Sequence, residues 1–115
     1  MQPVNILFVC SRNQWRSPTA ERIWRKSSGL SVRSAGTARS ARRRIGIGDI
    51  QWADLIVVME HKHKSRLVAD FRQDMRQKRV EVLDIPDDYG FMDAELIELL
   101  QMKVQPLIAE LQRNQ

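Results

Sequence analysis

The segment ILFVCSRNQWRSPTAE, residues 6–21, ends an apolar run on Cys10, crosses a polar stretch, and then places Arg16, Ser17 and Pro18 in a row. A thiolate is the nucleophilic form of cysteine. A guanidinium is a planar fork suited to two oxygens of a phosphate. Held at one anion site, the pair has a definite chemistry: the sulfur attacks phosphorus in line while the loop and Arg16 bind its oxygens. Taken alone, Cys10 also reads as the last buried residue of a core strand, and Arg16 as a surface charge. The surroundings must decide.

Three runs, the one that leads to Cys10 included, have strand character. VNILFV (4–9) and DLIVVM (54–59) are nearly continuous apolar stretches, as expected for strands buried on both faces. RVEVLDI (79–85) is a third, and LSVRSAG (30–36) alternates as an edge strand would. Helical patterns fall between them. Ser17 is placed to cap a helix with Pro18 at its first position, Glu21 in its first turn, and Ala20, Ile23 and Trp24 on one face before Gly29. A second helix is predicted over His61–Phe71. The last begins at the N-cap Asp93 and carries Leu96, Leu99, Leu100, Val104, Leu107, Ile108 and Leu111 at helical spacing, with a kink expected at Pro106. Residues 37–53 suit a short helical turn at DIQWA better than a full crossover helix.

Strands alternating with helices predict an α/β fold with a parallel sheet and right-handed crossovers. Ligands bind such sheets outside the carboxyl ends of the strands. Residues 10–17 stand at such an end, directly before a helix. The helix N-terminus and the loop offer backbone N–H groups to an anion. These groups and Arg16 would stabilise a thiolate at Cys10.

Composition sets the bounds. The chain has 115 residues, is 43% hydrophobic and fits a single domain over residues 1–115. One cysteine excludes an internal disulfide and any zinc site of several thiolates, and two histidines make no convincing metal site. No apolar run reaches the ~20 residues of a membrane span. MQPVNILFVC reads as a first strand rather than a signal peptide. With a free thiol, this suggests the cytoplasm. The net charge of +5, from 19 Lys and Arg, favours anionic partners.

Cys10, five residues, then Arg16-Ser17-Pro18 resembles the signature of the low-molecular-weight protein tyrosine phosphatases. SAGT (34–37), ADLIVVMEHKH (53–63) and DIPDDYG (84–90) resemble further segments of that family, in the same order along most of the chain. The resemblance implies a flavodoxin-like, phosphotyrosine phosphatase I-like three-layer sandwich on a four-stranded parallel sheet of order 2-1-3-4. It implies a hydrolase acting on a phosphate ester, a phosphoprotein or a small molecule, through phosphocysteine, with no metal or cofactor and no membrane partner. Carried over by residue, Cys10 is the nucleophile, Arg16 binds the phosphoryl oxygens, and Ser17 hydrogen-bonds the thiolate. Ser11, Arg12, Asn13, Gln14 and Trp15 form the phosphate-binding loop, which Asn13 braces. The general acid is Asp87, with Asp88 as the alternative. Trp15 and Tyr89 are candidates for an aromatic rim.

The sequence also departs from that family. Arg12 occupies a position usually held by Gly, which raises the expectation of a left-handed backbone that Arg adopts reluctantly. Trp15 replaces a second cysteine, so no internal disulfide can shield the nucleophile from oxidation. The segment between SAGT and ADLIVV is short and basic, so a pocket wall is reduced. A loop that binds phosphate or nucleic acid without turnover is the competing reading. Arg42, Arg43 and Arg44 are the residues that would serve nucleic acid, or else a solvated face. Arsenate reduction would need more cysteines. His61 and His63 read as a solvated helix start. The spacing of Asp84, Asp87, Asp88 and Asp93 fails the EF-hand pattern.

Overall fold

The computed structural model describes residues 2–114. Four strands, β1 (Val4–Cys10), β2 (Leu30–Gly36), β3 (Leu55–Val58) and β4 (Arg79–Val82), form one sheet in the order β2-β1-β3-β4. All three pairings are parallel. Val4–Cys10 lies against Leu30–Gly36 on one side, and Ile6–Val9 against Leu55–Val58 on the other. The expected strand order and fold class are those observed.

The apolar runs are continuous because both faces of the sheet are covered. Val4, Ile6, Phe8 and Cys10 point to one side, where they pack with Leu55, Val57 and Met59 against two helices, α1 (Arg16–Trp24) and α5 (Ala94–Arg113). Leu7, Val9, Ile56 and Val58 point to the other, against α2 (Ile47–Trp52), α3 (His61–Asp70) and α4 (Arg72–Met75). The two-residue period of a strand thus divides one apolar run between two cores. Trp24 stacks on Phe8 with ring centroids 5.6 Å apart. Leu96, Leu100, Val104 and Ile108 form the buried stripe of α5.

Asp93 caps α5 as expected, accepting from the N–H groups of Glu95 and Leu96. The helix runs through Pro106 to Arg113. Pro106 lacks an N–H for the Met102 carbonyl, but both residues are exposed, so water can take that place. Residues 37–53 hold a loop and only the six-residue α2, and α4 was not foreseen.

From β1 the chain crosses to β2 on one side, then returns past β1 to β3 on the other. The carboxyl ends of all four strands therefore deliver their loops to one edge of the sheet, beside the central strand that ends in Cys10.

Candidate active site

Cys10 is buried and lies at the base of a cavity of about 80 Å³ lined also by Arg12, Gln14, Trp15, Arg16 and Asp87. Cys10, Arg16 and Asp87 are thus brought together, although Asp87 is remote in sequence from the other two. Asp88 is exposed and does not line the cavity. Tyr89 does not line it either: it packs, half-buried, against the core under α1 and α5. Trp15 is 44% exposed and forms part of the wall.

Arg16 is 2% exposed. Its Nη1 donates to Glu60 Oε1 at 2.5 Å and to the carbonyl of Ile85 at 2.7 Å, which fixes the guanidinium from the loops after β3 and β4. Its Nε stands 3.6 Å from Asp87 Oδ1 and has no hydrogen-bond partner. Among the described residues it is the one buried side-chain nitrogen or oxygen left in that condition. An orphaned, buried cationic donor is costly unless something binds it. It lies beside the cavity that holds the thiol, which is where an oxyanion would satisfy it.

Ser17 does not cap α1. The helix begins two residues earlier than expected, at Arg16, and Ser17 is fully buried inside the first turn. Its hydroxyl is 2.9 Å from Cys10 Sγ, because the side chain is engaged by the site rather than by the helix end. A chain of hydrogen bonds sets its direction. Ser34 donates to the Glu21 carboxylate at 2.5 Å, so its oxygen accepts from Asn13 Nδ2 at 2.9 Å. The same Asn13 amide donates to Ser17 Oγ at 3.0 Å. The Ser17 proton can then point to the sulfur at 2.9 Å or to the Ala35 carbonyl at 3.5 Å, and the shorter contact favours the sulfur. A hydroxyl donating to sulfur stabilises the thiolate.

The left-handed residue of the loop is Asn13, at φ 55°, and not Arg12. Arg12 needs no glycine backbone, which corrects the expectation of strain there. Asn tolerates this region better than other side chains.

His63 was read as solvated, and it is 1% exposed. The Glu60 N–H donates to its Nδ1 at 3.0 Å, so the ring proton sits on Nε2 and is donated to Ser11 Oγ at 2.8 Å. Burial, and then the Arg16 charge, push its pKa down to about 4 against the opposing pull of Glu60 and Asp87. The neutral ring ties the first turn of α3 to the loop after Cys10. Burial alone would raise the Glu60 carboxyl, but the hydrogen bond and charge of Arg16 outweigh it and hold Glu60 below its usual range. Glu60 and His63 were both missed as site residues. The signal was their place immediately beyond a buried strand, masked by the basic run around them. His61 is exposed, as expected.

The three arginines at 42–44 divide. Arg43 donates to Asp49 Oδ1 at 2.5 Å and to the Ser34 carbonyl at 2.8 Å, which makes it a structural anchor. Arg42 and Arg44 are exposed.

No protein-family model and no curated protein sequence matches the chain. Solved structures do. The chain is similar to the YwlE arginine phosphatase from Geobacillus stearothermophilus (24% identity, TM-score 0.77, 98% of this chain and 96% of that one). It is similar to SP-PTP, a low-molecular-weight protein tyrosine phosphatase from Streptococcus pyogenes (19% identity, TM-score 0.76, 94% and 93%). It is also similar to Vibrio vulnificus Wzb in complex with benzylphosphonate (23% identity, TM-score 0.75, 93% and 98%). The chain has the fold of the low-molecular-weight protein tyrosine phosphatases, as its motifs imply.

Proposed function

We propose that this protein is a cysteine-dependent phosphatase that hydrolyses phosphate monoesters, phosphotyrosine and aryl phosphates foremost, through a phosphocysteine intermediate. The observation that carries this reading is the buried Arg16 Nε, which has no hydrogen-bond partner, on the cavity that contains Cys10. The fold shared with phosphatases, one of them bound to benzylphosphonate, supports it.

In the first step Cys10 Sγ attacks phosphorus in line, the P–S bond forms and the bond to the ester oxygen breaks. Arg16 and the loop amides hold the non-bridging oxygens as charge shifts onto them. Protonated Asp87, on the cavity wall, gives its proton to the departing oxygen. In the second step Asp87 takes a proton from water, the oxygen attacks phosphorus, and the sulfur leaves as the thiolate that receives the Ser17 hydrogen bond. We assign the acid to Asp87 over Asp88 because Asp87 alone of the two lines the cavity. A free catalytic thiol stays reduced in the cytoplasm, and we place the reaction there. Two features motivated a loop that binds without turnover, strain at Arg12 and the reduced wall after β2, and of these the first is absent because Arg12 has no left-handed backbone.

The test is hydrolysis of p-nitrophenyl phosphate by the wild type and by Cys10→Ser, with and without chelator. Turnover that survives chelator and disappears in the variant is the expected result. Equal turnover by the two proteins refutes the mechanism.

A further inference from the structure

The short basic segment after β2 is pinned along the phosphate loop. The N–H groups of Thr37, Ala38 and Arg42 donate to the carbonyls of Cys10, Ser11 and Arg12 at 3.0, 2.9 and 3.0 Å. With Arg43 anchored on Asp49 and the Ser34 carbonyl, its backbone is held from both sides. The remaining arginines are therefore presented in fixed places. Arg42 lines a groove of about 230 Å³ together with Pro18, Glu21, Arg22, Arg25 and Phe91. This groove adjoins the phosphate cavity through Arg12, which lines the cavity and is bonded to Arg42.

Arg12, Arg22, Arg25 and Arg42 are all exposed, and among the described residues none of them forms an ion pair. Glu21 is the one acid in the lining, and its carboxylate accepts the Ser34 hydroxyl. Arg16 already supplies the fork that one phosphate monoester requires. The surplus of unpaired guanidiniums beside it calls for additional negative charge on the same ligand. Phe91, 45% exposed, gives the groove an apolar side for a chain to lie against.

We propose that this groove binds an acidic peptide segment flanking the phosphorylated residue of a protein substrate, with its carboxylates paired to Arg22, Arg25 and Arg42. The inference rests on the phosphatase reading above. A peptide suits the groove better than a nucleic acid. A peptide can place its carboxylates at intervals, whereas a continuous phosphodiester backbone would carry charge past Glu21 and Asp87 as well.

The test compares a phosphotyrosine peptide flanked by glutamates, the same peptide with serines in their place, and p-nitrophenyl phosphate. Each is assayed with the wild type and with the double variant Arg22→Glu, Arg25→Glu. The wild type should favour the acidic peptide by about tenfold in kcat/KM at low salt, as several exposed ion pairs acting together allow. Added salt should shrink that preference. The variant should lose the preference and keep its turnover of p-nitrophenyl phosphate, which is too small to reach the groove. Equal rates on the two peptides, or an undiminished preference in the variant, overturn the proposal.

If no phosphate ester is hydrolysed at all, the phosphatase reading fails separately. The groove is then judged by fluorescence anisotropy with the labelled acidic peptide. Salt-sensitive binding lost in the double variant upholds it, and absence of binding refutes it. A single-stranded oligonucleotide that displaces the peptide at lower concentration than unlabelled peptide also overturns it, in favour of a nucleic-acid groove.

Discussion

Acid should loosen this protein at one identifiable residue, His63. The ring accepts a hydrogen bond from the Glu60 N–H at Nδ1, and a proton placed there would turn that contact into two opposed donors. The buried setting and the Arg16 charge oppose the same proton, which brings the pKa from 6.5 to about 4. The unfolded chain binds a proton at this histidine near pH 6.5, whereas the folded chain does so only near pH 4. Below pH 6.5 the unfolded state therefore holds more protons, and stability falls as the pH is lowered through that window. Between pH 7 and pH 5 the loss is about 2 kcal/mol. Glu60 and Asp49 are also held below their ordinary values, but their contributions disappear at lower pH, below about 4.5. The range from pH 7 to 5 thus isolates the histidine. The assay is urea denaturation across that range for the wild type and for His63→Gln, whose amide can still reach Ser11. The wild type should show the loss, and the variant should be nearly flat. Parallel curves would refute the assignment of His63 as a buried neutral clamp.

Glu60→Gln should remove the charged anchor of Arg16 Nη1 and destabilise the fold by about 1–2 kcal/mol, read by thermal melting. Its kcat/KM on an aryl phosphate should fall at least tenfold, because the guanidinium is no longer held in place. Asp87→Ala should slow the hydrolysis of alkyl phosphates, which need a protonated leaving group, by about 10²–10⁴-fold. It should affect p-nitrophenyl phosphate far less, and Asp88→Ala should leave both rates near wild type. Steady-state rates over a leaving-group series check both variants.

The α/β class was legible because β1 and β3 are short apolar runs and helix signals separate the strands, whereas the strand order was implied by the family resemblance. In each of β1 and β3 one nearly continuous hydrophobic run serves two cores, and no amphipathic strand would produce that pattern. The spacing from Cys10 to Arg16 and Ser17 was legible because strand, loop and helix start are contiguous in sequence. Glu60 and His63 were not. Their roles depend on β3 lying beside β1, and the residues around them, Lys62 and Lys64 included, are those of a solvated helix. The cap assigned to Ser17 was misread for a related reason, whereas its contact with Cys10, implied by the family resemblance, is present. A serine before a proline at a helix start satisfies the capping rule, and only the three-dimensional position of Cys10 and Asn13 shows that its hydroxyl is used elsewhere. Arg12 was misjudged because a family position usually held by glycine need not be the one with a left-handed backbone in this chain.

Gly36, at the end of β2, has a methyl-sized gap in none of the directions that matter. A Cβ there would come within 2.5 Å of the Ser11 carbonyl oxygen, 2.6 Å of the Ala41 side chain and 3.0 Å of the Asn13 nitrogen. The loop after Cys10 is thus cast against a neighbouring strand end as if against a mould. It follows that the stretch from Cys10 to Arg16 is not a portable cassette. Grafted alone onto another parallel sheet it would lose its shape, and the smallest transplantable unit includes the second strand's terminal glycine and the turn that follows.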